Sequence, residues 1–323
     1  MLNLFQGRGL RVLFAALALI IAVLISYYLF TDMTAEVWDF NIARRLKIVA
    51  AIILVAAAVG ISSVVFQTIT TNYILTPSIM GLDNLYVFMQ TLVIYFWGST
   101  QLVMMTDVTQ FLVSLFFMVL ASGCIFMLMF KGVGQSVFYV VLIGIVFGIA
   151  FDGLSSFMQV LIDPNEFAVL EGKMFASFNH INTPLLGLAW GLFILVGIWV
   201  LKDVRKYDVL SLGRSNAITL GINYQYMVYK SLIAVSIMSS ISTVLVGPVT
   251  FLGILIVSLA RVLLPTYRHS ILISITSLVG VAVLMLGMIV TERFLNFIVP
   301  LSVILNLTGG AAFIFLILKT KRI

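Results

Sequence analysis

Hydrophobic positions in this chain neither alternate nor recur on a single helical face. They run in unbroken stretches of roughly 17 to 25 residues, long enough to cross about 30 Å of hydrocarbon as a helix that satisfies its own backbone. Polar positions are confined to the gaps between them. Ten such stretches are predicted as membrane helices, at about 10–30, 48–70, 84–98, 109–129, 136–160, 184–201, 226–244, 250–264, 271–290 and 301–318. Ten crossings place both ends on one side. No small-residue cleavage site follows the first stretch, so it reads as a retained span rather than a signal peptide.

Composition agrees with the pattern. Of the 323 residues, 62% are hydrophobic and 9% charged, against about half and a quarter in a soluble domain. The charges also orient the chain. With both ends in the cytoplasm, thirteen of the eighteen Lys and Arg residues fall on that side, at positions 8, 11, 131, 202, 205, 206, 214, 230, 261, 268, 319, 321 and 322. The other five, at 44, 45, 47, 173 and 293, lie outside, a bias that follows the retention of cationic connections in the cytoplasm. The net charge of +6 is scattered over short connections, which argues against a nucleic-acid partner and for a lipid bilayer. The lone Cys124 permits no disulfide within the chain and reads as a small packing residue.

No Ser/Gly linker, low-complexity tract or soluble domain interrupts the chain, so residues 1–323 are expected to form one transmembrane domain. Two connections are long. One is Asp163 to Thr183, on the outside. The other is the cytoplasmic stretch "KDVRKYDVLSLGRSNAITLGINYQ", Lys202 to Gln225, which reads as two short helices. Tyr207 to Leu212 would close at Gly213, in the left-handed conformation glycine tolerates; Ser215 would cap a second helix closing at Gly221. From spacing alone this is either a rigid knuckle for a partner or an interfacial connector resting on lipid headgroups.

Within that stretch, "LSLGRSNAITLGIN" closely resembles the cytoplasmic coupling segment of the FecCD family, the permease subunits of bacterial ABC importers for iron-siderophore, haem and cobalamin. Two further segments agree in order and spacing. "VFQTITTNYILTPSIMGLD" carries Gln67, Asn72, Pro77, Met80 and Gly81 at family positions, and "VGPVTFLGILIVSLARVLLPTYRH" carries Gly247, Pro248, Phe251, Gly253 and Arg261. The likeness extends from about residue 40 onward. It departs where a family Pro-His pair is Val257-Ser258, and where an Arg-Leu-Pro-Arg segment appears as "ARRLK", Ala43 to Lys47, without the proline.

The resemblance implies an all-α integral membrane protein with the type II ABC importer permease fold. It implies that the knuckle docks on a separate ATPase subunit, with Tyr207, Leu210, Leu212, Gly213, Arg214, Ala217, Leu220 and Gly221 as contact candidates. It implies that Arg44 and Arg45, and after them Lys47 and Arg293, receive acidic residues of an extracytoplasmic substrate-binding protein; the bland reading of these cations is snorkelling to lipid phosphates. Two ATPase subunits and a second permease complete the expected assembly, and the divergent motifs favour a related second chain over an identical copy.

The chemistry of the residues bounds the function. No G-x-x-x-x-G-K-[ST] loop is present, so ATP-Mg is expected on the partner ATPase, and this chain is expected to bind no cofactor and catalyse no reaction. A bare transition-metal ion would call for a run of His, Cys or carboxylate ligands along its path. The chain has two His, His180 and His269, both read as lying in loops, and one Cys; no metal site is expected, and a ferric siderophore is the better cargo, with cobalamin or haem as alternatives on the same scaffold. Gln67, Asp152, Gly247 and Pro248 are the candidate pathway residues. Asp152 reads as the one acid well inside a span, where a charge costs at least ~2.5 kcal/mol and must face the bundle or a wet cavity. Gly247 and Pro248 read as a helix break, tolerable in a membrane where backbone lines a cavity. A secondary transporter, marked by inverted repeats and intramembrane ions, is the alternative from another class, though no convincing internal repeat is found. An intramembrane enzyme would need an H-E-x-x-H motif or a paired nucleophile and base, and neither is found.

Overall fold

Helix α2 (Trp38–Ile69) packs most extensively on the helix His269–Arg293. The structure is a computed structural model that describes residues 8–31, 38–104, 106–130, 137–179, 181 and 183–320. Helix α1 (Arg8–Phe30) precedes α2; α3 (Asp83–Met104), α4 (Asp107–Phe130), α5 (Val137–Leu161), α6 (Pro164–Met174) and α7 (Thr183–Leu201) follow it. Two short helices, α8 (Val204–Leu210) and α9 (Arg214–Thr219), then lead into α10 (Tyr224–Val246), α11 (Leu252–Leu263), α12 (His269–Arg293) and α13 (Leu301–Thr320).

Each of the ten expected stretches falls on a helix. Among the described residues eight helices are long and apolar enough to cross a membrane, whereas α11 and the apolar part of α13, Leu301–Phe315, are shorter. With 12 residues, α11 rises only about 18 Å. That is short of the roughly 30 Å of a hydrocarbon core. Helix α2 begins ten residues earlier than expected, so Arg44, Arg45 and Lys47 sit on its first turns rather than in a loop.

Burial sorts the helices. Most of the apolar windows of α2 and α10 are inside the chain, at 83% and 78%, against 22% for α1 and α5. The inner helices owe their close approach to small residues. Ala51, Ala56 and Ala58 on α2, and Ser236, Ser239, Ser240 and Ser242 on α10, are all buried. Without a solvent-driven hydrophobic effect, helices in lipid gain by such close contact. The Ser242 hydroxyl donates to the Ser239 carbonyl at 2.8 Å, and that of Ser236 reaches across to Ser122 and the Val119 carbonyl of α4.

Between α2 and α3 the backbone leaves helical geometry. Thr71 takes a positive φ of 48°, and the Asn72 side chain accepts from the Ile74 amide at 2.9 Å. A π-helical turn at Ser78–Leu82 then carries Gly81 at φ 90°. Only glycine fits there, because a Cβ on Gly81 would stand 2.8 Å from the Gly148 Cα of α5. Asn84 seals the contact by donating to the Gly148 carbonyl at 2.9 Å.

Candidate functional site

The knuckle is built from the inside out. Asp203, in the turn after α7, pairs with Lys206 at 2.7 Å and with Lys230 of α10, whose ammonium also lies 4.9 Å from the Trp199 ring centre. Tyr207 is fully buried and its hydroxyl accepts from Ser231 of α10 at 3.1 Å. Leu210 and Ala217 are buried as well. These three residues were expected on a contact surface; they anchor the knuckle to the chain and present no surface to a partner. Its outward face comprises Leu212, Ile218 and Leu220, which are 55%, 53% and 61% exposed, with Arg214 beside them.

The local conformation also differs from expectation at one point. Gly213, not Ser215, stands at the N-cap of α9, with φ 91° and ψ 165° and no side-chain cap bond. In that region of backbone space a Cβ is strained, so glycine itself sets the corner between the two helices. Gly221, at φ 83°, ends the knuckle as expected. Arg214 lies 5.8 Å from the centre of the Tyr224 ring, while its neighbour Asn216 donates to the Leu212 carbonyl at 2.8 Å.

One connection at this end has no counterpart in the sequence reading. Asp208 of α8 accepts from His269 twice, from its backbone amide at 2.6 Å and from Nδ1 at 2.7 Å. His269 Nε2 lies 2.8 Å from the Thr68 hydroxyl in the last turn of α2. His269 therefore opens α12 as a buried residue rather than lying in a loop. Nearby, Gln67 is fully buried and accepts from Arg261 at 3.3 Å, and the Arg261 guanidinium stacks 4.2 Å from the Tyr73 ring centre. Gln67 thus closes against α11 and does not open on a channel in this structure. His180 lies outside the described residues.

At the opposite end of the bundle the neighbouring arginines have different surroundings. Arg45 donates to the carbonyls of Tyr28, Leu29 and Thr31 at 2.9, 3.1 and 2.8 Å, and pairs with Glu292 at 3.4 Å. It caps the C-terminal end of α1, whose last carbonyls lack helical partners. Arg293 adds a bond to the Thr31 carbonyl at 3.0 Å. Two of the four expected docking cations are thus committed within the chain, and Lys47 is half-buried. Arg44 is exposed, with Asn179 at 3.5 Å. Arg44, Arg45, Glu292 and Phe297 border a cleft of about 100 Å³.

A second cleft, of about 210 Å³, opens between α3, α4, α6 and the end of α10. Asp107, Gln110, Gln90 and Lys173 line it together with Gly247. Burial pushes the Lys173 ammonium below the usual lysine range, and Asp107 opposes that shift. Gly247 ends α10 at φ 96° and begins the expected break before α11, with Pro248 next in the chain. A Cβ there would stand 3.0 Å from the Phe175 carbonyl oxygen. The break is sealed by Ser177, whose amide donates to the Val246 carbonyl at 2.7 Å.

Asp152 does not turn into the chain's own bundle. It is exposed on the outer face of α5 beside Ile149 and Ser156. Nor is it the one acid within a span: Asp83 begins α3 as a buried residue against Ser78 and Thr250, where the two irregular segments meet. Cys124, expected as a buried packing residue, is exposed on α4. Among the described residues no three His, Cys, Asp or Glu side chains gather as a metal site.

The model of the FecCD transport family matches residues 10–319. The petrobactin import system permease protein YclO of Bacillus subtilis (strain 168) is 49% identical over 93% of this chain and 95% of its own length. The petrobactin import system permease protein FatC of Bacillus anthracis is 30% identical, over 87% of this chain and 80% of its own length. The vitamin B12 import system permease protein BtuC of Photorhabdus laumondii is 24% identical, over 88% and 82%. Among solved structures, an inward-facing conformation of a metal-chelate type ABC transporter superposes with a TM-score of 0.80 at 22% identity, covering 94% of this chain and 97% of that one.

Proposed function

The chain belongs to the FecCD transport family, and from that premise we propose that it is the permease subunit of a binding-protein-dependent ABC importer for a ferric siderophore. It is a multi-pass cell-membrane protein with a transport role. The observation that carries the cargo reading is the 49% identity to a petrobactin import permease over nearly the whole of both chains. Identity to the vitamin B12 import permease is half that, at 24%.

The chain does no chemistry of its own in this reading. ATP-Mg sits on a separate ATPase, two copies of which close around nucleotide and pull on the knuckle. The knuckle's outward residues, Leu212, Arg214, Ile218 and Leu220, meet the ATPase, while Tyr207, Leu210 and Ala217 transmit the load to the bundle. On the extracytoplasmic side Arg44 offers its guanidinium to an acidic residue of the binding protein. A second permease, a related chain rather than an identical copy, lies against α5 and encloses the pathway, so that Asp152 faces that pathway instead of lipid. The break at Gly247 and Pro248 belongs to its outer mouth.

Uptake of radioiron supplied as ferric petrobactin, in cells with and without the gene, tests the reading. Loss in the deletion and recovery on complementation are expected. Undiminished iron uptake in the deletion, with cobalamin uptake lost instead, would transfer the chain to the other cargo.

A further inference from the structure

Helix α8 of the knuckle, with the turn before it, is held to the bundle by two separate sets of bonds. One set, Asp203 to Lys230 and Tyr207 to Ser231, ends on α10. The other runs from Asp208 to His269 and on to Thr68. Among the described residues it is the hydrogen-bonded route from α8 to α12 and α2. These are the two helices that pack most extensively on each other. They also run to the opposite end of the bundle, where Arg45 of α2 meets Glu292 of α12. With 32 residues, α2 is about 48 Å long.

The donors and acceptors fix the direction of each bond. Asp208 Oδ1 is a carboxylate acceptor, so both the amide and Nδ1 of His269 are donors to it. The Thr68 hydroxyl has a single proton, and it lies 2.8 Å from the Val64 carbonyl and 2.8 Å from His269 Nε2. It either donates to Val64 and accepts from Nε2–H, or turns and donates to Nε2. Either way a planar imidazole clamped at both nitrogens holds the knuckle in one register against the two long helices.

We infer that His269 is a positioning residue that carries displacement of the knuckle into α2 and α12; the inference rests on the reading of the knuckle as the ATPase-docking surface. The clamp's Thr68 and His269 are buried and so out of reach of a docked ATPase. Its loss therefore separates ATP hydrolysis from transport without abolishing either assembly or docking.

The experiment uses the complete importer, with ATPase and binding protein, reconstituted in proteoliposomes and supplied with radioiron-labelled ferric petrobactin. Uptake per ATP hydrolysed is compared for wild type, His269→Ala, Thr68→Val and Thr68→Ser. Thr68→Val removes one hydroxyl at nearly constant volume, so it remains informative if His269→Ala fails to fold. For Thr68→Val, hydrolysis is expected to stay within about twofold of wild type while uptake per ATP falls by about fivefold or more, the range open to a residue in a coupling network. Thr68→Ser, which keeps the hydroxyl, is expected to restore the ratio. Unchanged uptake per ATP in Thr68→Val, or a parallel fall of hydrolysis and uptake, would overturn the role of His269. An Ile218→Asp, Leu220→Asp double variant is purified alongside. Its failure to retain the ATPase is expected, and its retention would instead overturn the docking reading on which the inference stands.

Discussion

Arg45 and Glu292 stand 3.4 Å apart at the end of the bundle remote from the knuckle, and the same guanidinium collects three carbonyls from the end of α1. Its neighbour Arg44 is exposed, with Asn179 at 3.5 Å among the described residues. Consecutive residues on a helix are turned about 100° apart, so two adjacent arginines that border one cleft still have different surroundings. Arg45 is committed within the fold and Arg44 is exposed.

Replacing these two residues therefore gives opposite results. Arg45→Ala removes charge-assisted bonds worth about 1.5–3 kcal/mol and lowers the melting temperature of the purified chain in detergent. Arg44→Glu leaves melting unchanged and weakens capture of the binding protein in a pull-down. A loss of capture by Arg45→Ala with unchanged melting would reverse the assignment.

The knuckle divides in the same way. Tyr207→Ala empties a fully buried site and is expected to cost about 3–5 kcal/mol, as for other large buried aromatic truncations. Tyr207→Phe, which loses only the bond from Ser231, costs about 1 kcal/mol. Leu212→Asp leaves melting unaffected, since its side chain is exposed, but reduces co-purification of the ATPase. Equal destabilisation by Leu212→Asp and Tyr207→Ala would show that both sides of the knuckle are internal.

Gly213 and Gly247 test backbone strain with and without crowding. Both have φ near 90° and extended ψ, where a side chain costs of order 1–3 kcal/mol. Gly213 has open space around it, whereas a Cβ on Gly247 meets the Phe175 carbonyl oxygen at 3.0 Å. Gly247→Ala is therefore expected to lower melting more than Gly213→Ala. Melting temperatures of the two variants, measured side by side, decide it.

How much of this was legible depends on the distance over which each feature is determined. The spans were legible because crossing lipid needs a continuous apolar run, and the glycine corners because positive φ selects glycine locally. Spacing placed the two short helices of the knuckle to within a few residues, and the break at Gly247 was expected where α10 ends. Burial of Tyr207 was not legible: which face of a seven-residue helix turns inward depends on α10, reached only through tertiary packing. The Asp208–His269 bond joins positions 61 residues apart, and no local pattern marks it. Arg45 misled for a related reason. Cations on the outer side signal a function, but the sequence does not show that the end of α1 lies beneath one of them.

Asp203 supplies a dependence on pH. Hydrogen bonds from Lys206 and Lys230 hold its carboxyl below the usual aspartate range. Its folded value is thus depressed, so its contribution is complete above the unfolded value near 4 and is lost as pH falls through the folded value. Wild type and Asp203→Asn are expected to differ in melting temperature by a constant amount between about pH 5 and 8, and to converge below about pH 4. A difference that shrinks on approaching neutrality would contradict the ion pairs.

Asp152 is exposed on α5, a helix whose surface is otherwise mostly apolar and largely uncovered by the rest of the chain. An acid facing hydrocarbon costs about 2.5–3.5 kcal/mol on insertion scales, and among the described residues Asp152 is exposed on the outer face of α5. The cost disappears if a second permease covers α5 and leaves a wet path between the two. Because Cys124 is the one native thiol, a Cys124→Ser background is silent to maleimides, and Asp152→Cys within it reports on water directly. Thiol addition proceeds through the thiolate, which does not form in lipid. In the assembled importer, rapid labelling of Asp152→Cys by a charged, membrane-impermeant maleimide is expected, with little labelling of Ile149→Cys. Rapid labelling of neither would place this face against lipid or a dry interface, and the pathway would have to be sought elsewhere than along α5.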